Sequence, residues 1–166
     1  MLAHVCAELG ATQEARSILE QFAREDYTRL PRDAIWVGAI SYLGEVATRL
    51  HDHTQAARLY DLLLPYADRN IVIGWASTCA GSAARLLGML AALTDKRDQA
   101  ARHFEQALAM NRAMGAEPWV VRTQLPYAEL LLANDDDGDQ EARGRALRDQ
   151  GLATATRLGM TLAARA

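Results

Sequence analysis

The residue types that most often carry chemistry are few in this chain and lie far apart. His51-Asp52-His53 is the one local group of metal-ligand types. It falls in a short helix-to-helix connection, cannot close a tetrahedral site by itself, and has no Cys or His at the usual spacing to complete one, so it reads as a solvated turn. Asp135-Asp136-Asp137-Gly138 invites a calcium-loop reading with Gly138 as the turn glycine. That template then needs an acid at position 133 and a Glu at 144, where Ala133 and Gly144 stand, so a flexible acidic loop is expected. Cys79 sits in the most apolar segment with no His near it in sequence, and reads as a small core residue rather than a nucleophile. His4 and His103 fall in amphipathic runs. No oriented set of acid, base and nucleophile emerges. The expectation is a protein that is not an enzyme and uses no metal or cofactor.

The elements that must position any binding residues are helical. The chain has 166 residues, about one domain, read as 1–166. Ala and Leu supply 55 of them and Val and Ile only 11, so helix formers dominate β-branched residues and an all-α fold is expected. Eighteen basic residues against 21 acidic ones give a net charge of −3, with no electrostatic footprint for direct nucleic-acid binding or an anionic membrane. Cys6 and Cys79 are far apart, with no C-x-x-C and no leader read at the start, which leads to an expectation of a reduced, cytoplasmic protein. Residues Ile71 to Leu93 carry one charge, Arg85, and are long enough to span a bilayer. Ser77, Thr78, Ser82 and Arg85 interrupt the run, so a helix buried by its neighbours is expected instead.

A spacing of small and bulky residues recurs three times. Leu87-Gly88, Ala91, Ala100, Phe104 and Ala107 are matched by Leu43-Gly44, Ala47, Ala56, Tyr60 and Leu63, and by Leu2-Ala3, Cys6, Ala15, Leu19 and Phe22. The physical reading is a helix hairpin. A Gly or Ala on the first helix faces an Ala on the second, twelve residues later, and the large residue one turn on fills the groove to the next pair. Each pair leaves an apolar face uncovered, so pairs must stack. The Leu-Gly, Ala, aromatic and Ala positions resemble the tetratricopeptide repeat (TPR), although the Trp expected three residues before the Leu is absent and the period is 41–44 rather than 34. The expected fold is a right-handed α-solenoid, TPR-like, of about four antiparallel helix pairs at 1–29, 33–68, 71–114 and 118–158, with a tail at 160–166. In the fourth pair, Gly144, Arg148 and Gly151 align with Ala100, Phe104 and Ala107, and Arg148 suits a bulky apolar position poorly. Thr54 and Asp95 are read as N-caps, and Pro126 as a kink or a late helix start.

Further runs, among them Leu30-Pro31-Arg32-Asp33-Ala34, Met114-Gly115-Ala116-Glu117-Pro118-Trp119 and Leu158-Gly159-Met160, are similar to the C-terminal helical region of large actinobacterial signalling proteins. In those proteins an ATPase module is joined to a LuxR-type DNA-binding domain or to a cyclase domain. The resemblance implies a regulatory role, sensing a partner or an inducer. It transfers no catalytic residue, because no Gly-rich loop ending in Gly-Lys-Ser/Thr is present.

Gly74, Gly81 and Gly88, seven apart, would lie near one helix face, as close packing or as a recess. Trp36, Trp75 and Trp119 fall near the starts of first helices, which line the concave surface of stacked repeats. In the same register Ser41, Glu45, Arg85, Met89, Arg122 and Glu129 would face that groove. The expected function is a protein–protein interaction or sensor module that binds a protein or peptide segment there. The alternatives are a small-molecule receptor with a pocket near Trp75, Gly81 and Arg85, and a self-associating spacer that forms a homodimer.

Overall fold

Apolar residues at three- and four-residue spacing coil the chain into antiparallel helix hairpins. The computed structural model describes residues 1–74, 78–133 and 138–160. Within these lie α1 (Leu2–Glu8), α2 (Thr12–Ala23), α3 (Trp36–Arg49), α4 (His53–Leu63), β1 (Asn70–Ile73), β2 (Thr78–Ser82), α5 (Ala83–Leu93), α6 (Arg97–Ala113), α7 (Glu117–Leu132) and α8 (Gly138–Arg157). The helices pack as α1 with α2, α3 with α4, α5 with α6 and α7 with α8. Consecutive first helices α1, α3, α5 and α7 also touch one another. Among the described residues no helix is long and apolar enough to cross a membrane.

One turn geometry joins the members of the first three pairs. Gly10, His51 and Asp95 each adopt a left-handed φ, at +77°, +50° and +59°. Each is followed by a residue whose N–H reaches back to the carbonyl of Cys6, Ala47 or Ala91 respectively. This is the six-to-one bond that closes a helix C-terminus through a left-handed residue. The three residues lie five positions before Ala15, Ala56 and Ala100, all fully buried, so the 41- and 44-residue period is carried by the backbone as well as by the core. Asp95 is therefore a turn residue rather than an N-cap. Asp52, not Thr54, caps α4, its carboxylate accepting from the Gln55 N–H at 3.0 Å.

The small residues permit close approach, though against other partners than the spacing implies. A Cβ at Gly44 would lie 2.9 Å from the Leu86 side chain of α5, and one at Gly88 would lie 2.7 Å from the Phe104 ring of α6. Gly44 thus lets the next pair's first helix approach. Gly88 seats the bulky residue of its own partner helix. In the fourth pair Gly144 and Gly151 receive Leu131, Leu132 and Leu125 of α7, while Leu147 is buried and Arg148 faces solvent. Gly144 and Gly151 are buried as the alignment has them, and Leu147 rather than Arg148 takes the bulky place between them. α7 runs from Glu117 through Pro126 to Leu132, so the proline does not delay the helix start, and it deprives the Arg122 carbonyl of a helical donor.

The 71–114 pair departs most from expectation. Its first helix begins at Ala83, and the preceding residues form an antiparallel two-stranded ribbon, pairing Asn70 with Ser82, Val72 with Cys79 and Ile73 with Thr78. The fold is mostly helical but not purely so. Ile71-Val72-Ile73 is a β-branched run, and Gly74 and Gly81 take φ of +61° and +78°, which no α-helix contains. Gly81 sits where β2 carries an extra residue against β1, a glycine bulge. Gly74, Gly81 and Gly88 therefore do not share a helix face. Trp75 lies outside the described residues, as do Asp135, Asp136, Asp137 and residues 161–166. The ribbon packs on α3, where Gly38 makes room for Ile73.

Replacing Gly88 by Ala should destabilise the protein by about 1–2 kcal/mol in urea unfolding, because overpacking against a buried ring outweighs the ~1 kcal/mol that Ala gains over Gly in a helix. Phe104→Leu in the same chain should recover part of that loss. A stabilised Gly88→Ala single variant would refute the packing.

Candidate functional site

The first helices present one wall, and charged residues on it pair from each helix to the next. Glu8 of α1 receives Arg49 of α3, and Glu45 of α3 receives Arg85 of α5. The first of these pairs is half-exposed, whereas Arg85 is only 5% exposed. Arg85 also donates to the Met89 sulfur at 3.0 Å. Its Nε is buried without an acceptor. Burial by itself would raise the Glu45 carboxyl, but the adjoining Arg85 guanidinium, by charge and hydrogen bond, outweighs it, with His4 and Arg122 adding to the attraction. Glu45 is held below the ordinary carboxylate value.

Trp119, near the start of α7, leans across this wall. Its Nε1 donates to the Cys79 carbonyl of β2 at 3.1 Å, and its ring lies against Gly81, where a Cβ would fall 2.8 Å away. Only a glycine at a left-handed φ fits beneath that ring. The guanidiniums of Arg85 and Arg122 both stand 5.4 Å from the ring centroid, within cation–π range. The ribbon is held in turn by Asn111 of α6, whose Oδ1 accepts from the Ser82 N–H at 3.2 Å and whose Nδ2 donates to Thr123 Oγ1 of α7 at 3.1 Å. The β2 segment that carries Gly81 is thus tied to both helices that flank it.

These side chains enclose a cleft of about 90 Å³ that Ser41, Glu45, Arg85, Trp119 and Arg122 line together. Ser41 is buried, with its hydroxyl donating to the Val37 carbonyl at 2.7 Å. Met89 and Glu129 lie one step along the wall, at a second and more open depression of about 250 Å³ that Ala92, Leu93, Phe104, Pro126 and Leu130 also line. Trp36 stands apart. It is buried, packed tilted against Tyr66 at 5.6 Å with the Arg32 guanidinium 4.2 Å above it, and belongs to the core rather than to either depression.

Sequence reasoning missed the other half of the cleft, namely His4, Glu8, Tyr42 and Arg49, together with Ile71, Ile73 and Ala80 of the ribbon. His4 packs on Tyr42 at 5.2 Å between centroids and lies 3.8 Å from Glu8. A signal did exist, because His4/Glu8 and Glu45/Arg49 are pairs of polar side chains four apart on first helices. The ribbon residues had none, since the segment reads as helix.

Elsewhere, the Tyr60 hydroxyl meets His103 Nε2 at 2.9 Å, with the Lys96 ammonium 5.0 Å over the tyrosine ring. That cluster bridges α4 and α6 on the opposite side of the hairpins. Cys79 is exposed, not a core residue. Among the described residues no group of three His, Cys, Asp or Glu side chains is placed to hold a metal ion.

Compared with protein-family models, with curated proteins and with solved structures, the chain shows no significant match.

Replacing Glu45 by Leu should cost about 3 kcal/mol, because Arg85 is then buried without its counter-charge, and Glu45→Leu with Arg85→Met should recover most of it. The carboxyl is depressed in the folded state, so the pair's contribution is full above pH 4.5, the ordinary value, and is lost as the pH falls through the lower folded value. The stability gap between wild type and Glu45→Leu in urea titrations should narrow in that acid range. A gap constant from pH 7 to 3 would contradict the pairing.

Proposed function

We propose that this chain is a non-catalytic interaction module, a TPR-like stack of helix pairs from a cytoplasmic signalling regulator of the ATPase-linked LuxR or cyclase type, which binds a protein segment along the wall of α1, α3, α5 and α7. The observation that carries this reading is the continuity of that wall. The charged cleft at Arg85 and the apolar depression at Met89 are one helical turn apart on α5, so a single extended segment reaches both. The recurring left-handed turns and the contact of consecutive first helices support the stacked arrangement.

The small-molecule alternative has less support at the described part of this cleft, Trp75 lying outside the described residues. Pockets for drug-sized ligands run to roughly 300–1,000 Å³, and the cleft beside Gly81 and Arg85 holds about 90 Å³. Self-association has one observation in its favour. Met1, Leu2, Val5 and Leu9 of the first hairpin are exposed, Leu9 at 80%, which is an apolar surface with nothing against it. If that surface pairs two copies, light scattering should give a dimer that Leu9→Glu converts to monomer.

The wall reading is tested by panning a random-heptapeptide display library on the purified chain and mapping the enriched peptides by amide chemical shifts. Shifts should concentrate on α1, α3, α5 and α7. Failure to enrich any peptide, or shifts confined to the α4 and α6 face, would overturn it.

A further inference from the structure

A recess of about 480 Å³ opens away from the wall, between the second helices α6 and α8 with α7 as its floor. Val120 and Gln124 of α7 line it. Residues two apart in a helix lie about 200° around its axis, so both stand opposite Arg122. Unlike the cleft, this space falls within the roughly 300–1,000 Å³ of small-ligand pockets. Its floor holds a buried primary amide. Gln124 is 4% exposed, and such an amide offers two N–H donors and a carbonyl with two lone pairs. One donor makes a long bond of 3.4 Å to Gln150 Oε1, and the carbonyl oxygen accepts nothing among the described residues. Buried polar groups are ordinarily satisfied, so an amide left mostly open toward a recess asks for a partner. Gly151, beside it on α8, puts no side chain over it. At the rim, Arg112 of α6 is exposed and has no carboxylate partner among the described residues, while Glu117 is already paired with Arg157. The recess therefore carries one uncompensated positive charge.

We propose that this recess binds a nucleoside monophosphate, with the base edge against the Gln124 amide and the phosphate against Arg112. The site is separate from the wall and does not depend on the peptide reading. The second N–H and the carbonyl oxygen of Gln124 form an edge with one donor and one acceptor side by side. Adenine presents the matching pair, an amino N–H next to a ring nitrogen, and glutamine reads adenine through two such bonds. Thr154 and Gln150 of α8 supply the hydroxyl and amide that ribose hydroxyls pair with, and Val120 and Ala153 give the base apolar contact. A guanidinium meets a phosphate through charge-assisted bonds, the stronger class. One unpaired arginine suits a monophosphate, whereas a triphosphate brings charge that nothing in the recess balances.

The test titrates the purified chain with adenosine monophosphate (AMP) at millimolar concentration and follows amide chemical shifts. Shifts should concentrate at Gly115, Val120, Gln124 and Ala153. Purine ribonucleoside monophosphate, which lacks only the amino group, should bind about tenfold more weakly, the order expected for lost hydrogen bonds. Gln124→Leu should weaken AMP by a similar factor and erase the preference between the two nucleotides. Arg112→Gln should weaken AMP about tenfold or more and leave adenosine, which has no phosphate, unchanged. Arg112 is exposed, so that variant should keep the wild-type circular dichroism. If Gln124→Leu fails to fold, the comparison of the two nucleotides on wild type decides the role of the amide. Absence of shifts with AMP, shifts confined to the cleft of the wall, equal binding of the two nucleotides by wild type, or inorganic phosphate bound as tightly as AMP would each overturn the assignment. None of these results bears on the peptide panning, so the wall reading stands or falls separately.

Discussion

The architecture depends on helices that come close because certain positions lack a side chain. Gly44 admits Leu86 and Gly88 admits Phe104 at distances where a methyl group would collide. The first contact sets one pair on the next. The second closes a pair on itself. Glycine inside a helix costs about 1 kcal/mol relative to Ala, a penalty that close packing of large buried side chains offsets. Gly144 and Gly151 do the same for the last pair, where α8 otherwise offers few apolar residues.

That packing has an electrostatic consequence. With first helices in direct contact, side chains one turn apart on neighbouring helices meet, and Glu8–Arg49 and Glu45–Arg85 form across the two contacts. The Glu45–Arg85 pair is the more buried, and its geometry fixes the floor of the cleft. The ribbon inserted before α5 closes one side. It carries Gly81 beneath Trp119 and Ile73 against Gly38, so an element with no place in a helical repeat supplies part of the wall.

A large share of the helical layout was legible. The 41- and 44-residue recurrence of small residues gave the hairpin positions, and the same recurrence appears in the turns at Gly10, His51 and Asp95. Ser41, Glu45, Arg85, Trp119 and Arg122 follow from helix register, and the structure brings them to one cleft. Met89 and Glu129 follow from the same register but stand at the next depression, because a helix face continues past one site. Trp36 has the same type and register as Trp119, yet Tyr66 and Arg32 close over it. No local pattern separates those two tryptophans.

By itself, the order of residues determined that the chain is mainly helical, where its hairpins turn and which faces are apolar, since all of these depend on neighbours within a few positions. It also held the β-branched Ile71-Val72-Ile73 run, outweighed by the apolar length of the segment around it. Only the tertiary structure decided that Gly44 meets Leu86, that Gly81 lies under Trp119 and that Arg85 is buried against Glu45. Those outcomes depend on which helix lies beside which and at what separation, and distances between residues some forty positions apart are fixed by packing, not by local preference.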